Sequence, residues 1–207
     1  MHQGMRMFNL MCCQLCQTSP ATHYSVCQDC WQQLPWLKQS IKRQDIEIMV
    51  ACEYSYPLDR IIQQFKYQQK LHLHSLLAGL LQQLKYPKKL QAIVPMPIST
   101  TRLIERGYNQ SMLLAQHLSK VLQIPIWQPI IRLEHHHQKG LTRSERLSHI
   151  QHQFVAQPSR VCYRHVLMVD DVVTTGASLS ALSKHLQDLG CQHIYAACLA
   201  AAQHGSA

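Results

Sequence analysis

The chain has 207 residues, a formal net charge of +9 and nine cysteines, with 46% hydrophobic and 15% charged residues. That balance excludes an intrinsically disordered chain, and no apolar run approaches the ~20 residues needed to span a bilayer, so no membrane insertion is expected. The apolar stretch 7–12 is too short for a signal-peptide core; the expected location is the cytoplasm, where cysteines are not read as disulfides.

Four of those cysteines form two knuckles, Cys13-x-x-Cys16 and Cys27-x-x-Cys30. Four thiolates suit tetrahedral zinc at about 2.3 Å per sulfur, and a module this small needs such a staple to fold. With no open coordination position, the metal is read as structural. A redox pair is the alternative, disfavoured because a thioredoxin-like site needs one Cys-x-x-Cys within a βαβ pattern. Cys12 is a competitor for Cys13. Residues 30–41 predict a short helix packing Trp31, Leu34 and Leu37, interrupted at Pro35, and 38–45 predict a polar linker. The expected division is therefore a cysteine module with its linker over 1–45 and a main domain over 46–207.

The main domain opens with a strand over 46–54. From Pro57 a helix carries Leu58, Ile61, Ile62 and Phe65 on one face and ends in Lys66-Tyr67. A second helix is expected over 71–84, covered on several sides. The strand 91–97 runs into Val94-Pro95-Met96-Pro97, where two prolines fix a rigid loop at the sheet's carboxyl edge. Arg102 and Arg106 flank a turn at Gly107, where their planar forks can take phosphate oxygens. The plainer reading makes them exposed i,i+4 neighbours on a helix start. A helix of Leu113, Leu114, Leu118 and Leu122 follows.

From Arg60 to Arg106 eight basic residues stand against one acid, Glu105. A polyphosphate substrate or nucleic acid fits that excess, as does a merely solvated surface. After an extended segment over 124–133, residues 134–146 read as a basic active-site loop hinged at Gly140. Lys139, Arg143 and Arg146 would there be available to anions. Phe154-Val155-Ala156 and Val161-Cys162 predict an edge hairpin.

Val166-Leu167-Met168-Val169 then reads as a buried strand of a parallel sheet. It meets Asp170 and Asp171, then the small-residue turn Thr174-Thr175-Gly176-Ala177-Ser178. An amphipathic helix follows, with Leu179, Leu182, Leu186 and Leu189 at helical spacing and Gly190 at its stop. In open parallel sheets, ligands sit beyond the carboxyl ends of strands. The N–H groups of 175–178 and the hydroxyls of Thr174, Thr175 and Ser178 would hold a phosphate monoester. Asp170 and Asp171, as acceptors, suit two neighbouring sugar hydroxyls. The alternative is a capped helix with both acids as turn residues. Residues 193–199 form the last strand.

The run from Val166 through Asp170, Asp171 and Val172 to Ser178 resembles the 5-phosphoribosyl-1-pyrophosphate (PRPP) signature of type I phosphoribosyltransferases. That resemblance implies ribose hydroxyls on Asp170 and Asp171 and a 5′-phosphate on 174–178. Further motifs are Phe65-Lys66-Tyr67, Val94-Pro95-Met96-Pro97, Arg102-x-x-x-Arg106-Gly107-Tyr108-Asn109-Gln110, Gln138-x-x-Leu141-x-x-x-Glu145-Arg146 and Phe154. With the cysteine module before them, they resemble the ComF competence-protein family. His149 departs from the family pattern, which usually has Asn there.

The family resemblance implies an α/β fold, a phosphoribosyltransferase-type parallel sheet flanked by helices, with a small N-terminal zinc-knuckle module. It implies PRPP or a related phosphorylated ribose as ligand, with Mg²⁺ bridging pyrophosphate and ribose oxygens. Asp170, Asp171, Arg102 and Arg106 would be catalytic. Lys66, Tyr67, Pro95, Arg102, Arg106, Arg143 and Arg146 would meet pyrophosphate or DNA phosphate. The implied role is in natural transformation, handling incoming single-stranded DNA in the cytoplasm. A competence translocase and a DNA-processing protein would be its partners. The alternative is an active phosphoribosyltransferase, moving ribose 5-phosphate from PRPP to an unidentified acceptor.

Overall fold

The computed structural model describes residues 12–134, 153–158 and 161–202. The chain divides into two compact units, Met1–Leu34 and Pro35–Ala207. In the first, bridges Cys12↔Pro20 and His23↔Val26 shape the knuckles, and helix α1 (Gln28–Gln32), capped by Cys27, carries Cys30 of the second. Its buried apolar residues are only Cys13, Val26, Cys27 and Leu34 among those described, too few for a core of its own.

The second unit is built on strands β1 (Trp36–Arg43), β2 (Ile46–Glu53), β3 (Ala92–Pro95), β4 (Ile130–Arg132), β5 (Phe154–Ala156), β6 (His165–Val173) and β7 (His193–Ala201). Five form one sheet in the order β1-β2-β7-β6-β3, and β4 pairs with β5 separately. β2, β7, β6 and β3 run parallel, and β1 closes the edge antiparallel to β2. Helices α2 (Leu58–Tyr67), α3 (His74–Leu81), α4 (Thr100–Arg106), α5 (Gln110–Leu122) and α6 (Ala177–Asp188) complete the unit.

Val166, Leu167, Met168 and Val169 are all buried, as a strand covered on both faces requires. Val166 and Met168 share a core with Leu179, Leu182 and Leu186 of α6. α3 and α5 pack against the sheet strands β2, β3, β6 and β7. α2 buries Leu58, Ile61, Ile62 and Phe65, the face its spacing predicts. At roughly 1.5–3 kcal/mol per side chain, that burial fixes α2's orientation and so the direction of Lys66 at its end. No helix among the described residues is long and apolar enough to cross a membrane.

Several expectations are corrected. The helix expected over 30–41 is helical only to Gln32, within α1, and the linker over 38–45 is strand β1 with its turn into β2. Pro35 ends helical continuation, and Leu37 and Ile41 are partly buried against the core from a strand whose pairing with β2 shifts register between Trp36 and Gln39. The second helix is a 3-10 turn, Leu71–Leu73, followed by α3. β5 pairs with β4 instead of forming a hairpin with Val161-Cys162. Val161 is half-exposed and outside any strand, beyond Pro158.

Candidate functional site

β6 continues through Asp170 and Asp171 to Val173, so both acids lie within the end of a strand rather than in a turn. Asp171 is buried, and its Oδ2 sits 2.8 Å from Lys66 Nζ at the end of α2. Its Oδ1 accepts from the N–H of Val172 at 2.7 Å. Asp170 Oδ1 accepts from Ser111 Oγ of α5 and from the N–H of Asp171, each at 2.9 Å. Burial, then the adjacent Asp171 charge, raises the Asp170 carboxyl to about 7 against the pull of Lys66. Burial works against the Lys66 ammonium, but Asp171 and Asp170 outweigh it and hold Lys66 charged, above its ordinary value.

Beyond the acids, Thr174 and Thr175 are exposed, Gly176 and Ala177 buried and Ser178 half-buried. Gly176 caps α6 at φ +79°, and the N–H of Ala177 meets Thr175 Oγ1 at 3.4 Å. A Cβ on Gly176 would lie 2.7 Å from Arg43 Cβ. Gly176→Ala is therefore expected to cost about 1–3 kcal/mol in a urea unfolding series; a variant as stable as the parent would mean the loop accepts a side chain there.

The motif Arg106-Gly107-Tyr108-Asn109-Gln110 turns out to be a clamp. Gly107, at φ +78°, ends α4. The Tyr108 hydroxyl donates to the carbonyl of Phe65, next to Lys66. Asn109 caps α5 by accepting from the N–H of Met112 at 3.3 Å and donates to the carbonyl of Met96 at 3.0 Å. Together these bonds hold Lys66 of α2 and Ser111 of α5 against the two acids. Sequence reasoning missed Ser111; its only signal was a hydroxyl in the first turn after that motif.

The other anticipated residues fare differently. Arg102 and Arg106 do not flank Gly107: both precede it, one turn apart on α4. Arg102 is exposed, while Arg106 lies over the Tyr67 ring at 5.2 Å and donates to Gln110 Oε1 at 3.2 Å. Lys66 is engaged by Asp171, and Pro95 is buried at the end of β3, level with Val169. Lys139, Gly140, Arg143, Arg146 and His149 lie outside the described residues. A cavity of about 490 Å³ lies elsewhere, lined by Ser40, Glu47, Lys85, Ser183 and His193 among others, and it includes neither the acids nor the loop.

In the amino-terminal unit, ligand atoms of Cys13, Cys16, Cys27 and Cys30 lie within 4.8 Å of one another, a cluster able to hold a metal ion. The N–H groups of Leu15 and Cys16 point at Cys13 Sγ at 3.4 and 3.5 Å. Cys12 is exposed and outside the cluster.

Adjacent acids at a parallel strand's end, a Thr-Thr-Gly turn and a helix start define a phosphoribosyltransferase-type domain, and the Phosphoribosyl transferase domain model matches residues 109–207. Competence protein F of Haemophilus influenzae is 35% identical over 88% of this chain and 81% of its own length. The chain belongs to the ComF competence-protein family. Competence protein ComFC of Bacillus subtilis is 34% identical over 51% of this chain and 42% of its own length. DNA utilization protein YhgH of Escherichia coli K12 is 29% identical over 87% and 80%. A purine phosphoribosyltransferase from Pyrococcus horikoshii covers 74% of this chain at 22% identity and TM-score 0.35, too loose a likeness to bear on activity.

Proposed function

We propose that this chain binds PRPP or a related phosphorylated ribose at the end of β6 and serves DNA uptake in the cytoplasm. Asp170 and Asp171 would accept from the ribose hydroxyls, and the N–H and hydroxyl groups of 174–178 would hold the 5′-phosphate. Arg102 and Arg106 would face the pyrophosphate. Mg²⁺, when bound, would neutralise ligand charge while held largely by the ligand's own oxygens. The observation that supports this reading best is the pair of acids beside an exposed Thr174-Thr175 turn. Zinc is the metal we assign to the four cysteines. A tetrahedron with bonds of about 2.3 Å sets sulfurs about 3.8 Å apart, and Cys16 Sγ and Cys27 Sγ are 3.8 Å apart.

The test is a calorimetric titration of PRPP with Mg²⁺. The parent chain binds, and Asp170→Asn with Asp171→Asn abolishes binding while circular dichroism stays unchanged; undiminished affinity in the double variant refutes the ribose contact. Pyrophosphate release from PRPP across nucleobases, amines and single-stranded DNA then decides whether the chain turns over.

A second reading, direct contact with single-stranded DNA, draws on exposed Tyr67 stacked with Arg106. Single-strand binders combine such aromatic platforms with cations. It requires oligonucleotide affinity that falls steeply with salt. The DNA translocase and DNA-processing protein of the competence machinery are the partners proposed under either reading.

A further inference from the structure

The parallel sheet is forked at its amino end. β6 and β7 pair from His165↔His193 upward, and β1 pairs with β2 down to Arg43↔Ile46, but β2 and β7 pair only from Ile48↔Ala196. The cavity of about 490 Å³ lies in this fork, lined by Glu47 of β2 on one prong and by His193 and Tyr195 of β7 on the other. Ile48 and Ala196 belong to the core shared with α6, so Glu47, Tyr195 and His193 project from the opposite face. Ser183 of α6 stands on the core side and still lines the same cavity, as an opening between strands allows.

The lining suits a flat ring with a polar edge. The His193 ring stacks on that of His165, with centroids 4.4 Å apart and planes 17° apart. His165 backs one face of His193, which is exposed and lines the cavity, so an aromatic ring entering there extends the stack. Glu47 is registered opposite Lys42, yet among the described residues neither it nor Asp45 makes a side-chain ion pair or hydrogen bond. Ser183 is only 8% exposed and its hydroxyl also lacks a partner among the described residues, where a buried hydroxyl normally has one. Two carboxylates against the one lysine, Lys85, make the lining acidic and favour a ring edge that presents N–H donors. A carboxylate accepts two parallel N–H bonds, and guanine carries two adjacent donors, N1–H and the N2 amine, on one edge.

We propose that the fork is a nucleobase site selective for guanine, in which His193, backed by His165, stacks on the base and Glu47 accepts from N1–H and the N2 amine. It lies at the opposite end of β6 from Asp170 and Asp171 and does not depend on the PRPP reading. Its volume is in the range of small-molecule pockets. A free guanosine and an unpaired guanine in a DNA strand both present this chemistry.

The test is equilibrium dialysis of labelled guanosine against the full chain, with adenosine and inosine, which lacks the N2 amine, as comparisons. The parent should hold guanosine at least about tenfold more tightly than either. Glu47→Gln should lower guanosine affinity about 10–30-fold and erase most of its lead over inosine. His193→Ala should weaken guanosine and inosine alike, by about tenfold, because stacking ignores the base edge. Both residues are exposed, so melting temperatures should stay within about 2–4 °C of the parent. No guanosine binding by the parent at about 1 mM overturns the proposal. So does equal affinity of the parent for all three nucleosides, whatever the variants do, or guanosine affinity unchanged in both variants. Competition by PRPP with Mg²⁺ overturns it too, because the base would then lie at the carboxyl end of β6. Guanosine binding with the expected signatures in a chain that ignores PRPP supports the fork site and removes only the ribose reading. A thymidine oligonucleotide carrying one guanine assigns the source. Displacement of guanosine by that strand and not by an all-thymine one gives the site to DNA, no displacement gives it to a free nucleoside, and both support it.

Discussion

Asp170→Asn is expected to make the ligand-free protein more stable at pH 8 and to weaken PRPP–Mg²⁺ binding at least about 100-fold. Both effects come from one carboxylate that the fold carries at a cost. Its folded value of about 7 lies above the ordinary 3.8. Between those values the native state holds a proton that the unfolded chain has released. Stability from this group is therefore full below about pH 4 and falls as pH rises through 7. Asparagine keeps the acceptor that Ser111 Oγ and the N–H of Asp171 use and removes the buried charge. The gain at pH 8 should reach about 1–2 kcal/mol, or about 2–8 °C in Tm, and vanish near pH 4, where Asp170 is already neutral.

Ligand affinity runs the other way. A carboxylate accepts from a sugar hydroxyl best when ionised, so parent affinity should climb as pH passes 7, and the variant's should stay flat. Melting curves at pH 4 and 8, with titrations between pH 6 and 8.5, check both halves. An equal Tm gap at the two pH values would show that Asp170 is not the strained group.

What the sequence conceals is visible in the same site. β6 and α6 could be read directly, because a four-residue apolar run and leucines at helical spacing are local signals. The signature was likewise local. Residues 36–43 read as helix and linker because Leu37 follows Trp31 and Leu34 at helical spacing, and only pairing with β2 makes them a strand. Lys66 and Asp171 pair across most of the chain, and nothing in either neighbourhood predicts that a lysine marked for phosphate spends its charge on an acid. Arg102 and Arg106 sit one turn apart, so the plainer reading of them as helix neighbours describes their spacing correctly. Their stacking and hydrogen-bond partners, Tyr67 and Gln110, depend on where α2 and α5 are docked.

The largest effect belongs to the amino-terminal unit. Cys27→Ser should cut zinc from about one per chain to below about 0.1. Of the four buried apolar residues among those described there, two are thiols of the cluster itself, so burial alone leaves little to hold the segment together. Apparent binding free energies of about 10–16 kcal/mol for such sites are then mostly folding free energy. Loss of the metal should free Trp31 from its contact with Tyr24, now at 5.2 Å, and open the segment before Leu34 to proteolysis. Cys12→Ser is the control: Cys12 is exposed and its sulfur is outside the cluster, so stoichiometry should not change. Equal metal content in parent and Cys27→Ser protein, both purified without chelator, would remove the zinc assignment. Loss of metal in the Cys12→Ser control would shift it from Cys13 to its neighbour, because only one of two adjacent thiols can complete a tetrahedron with the other three.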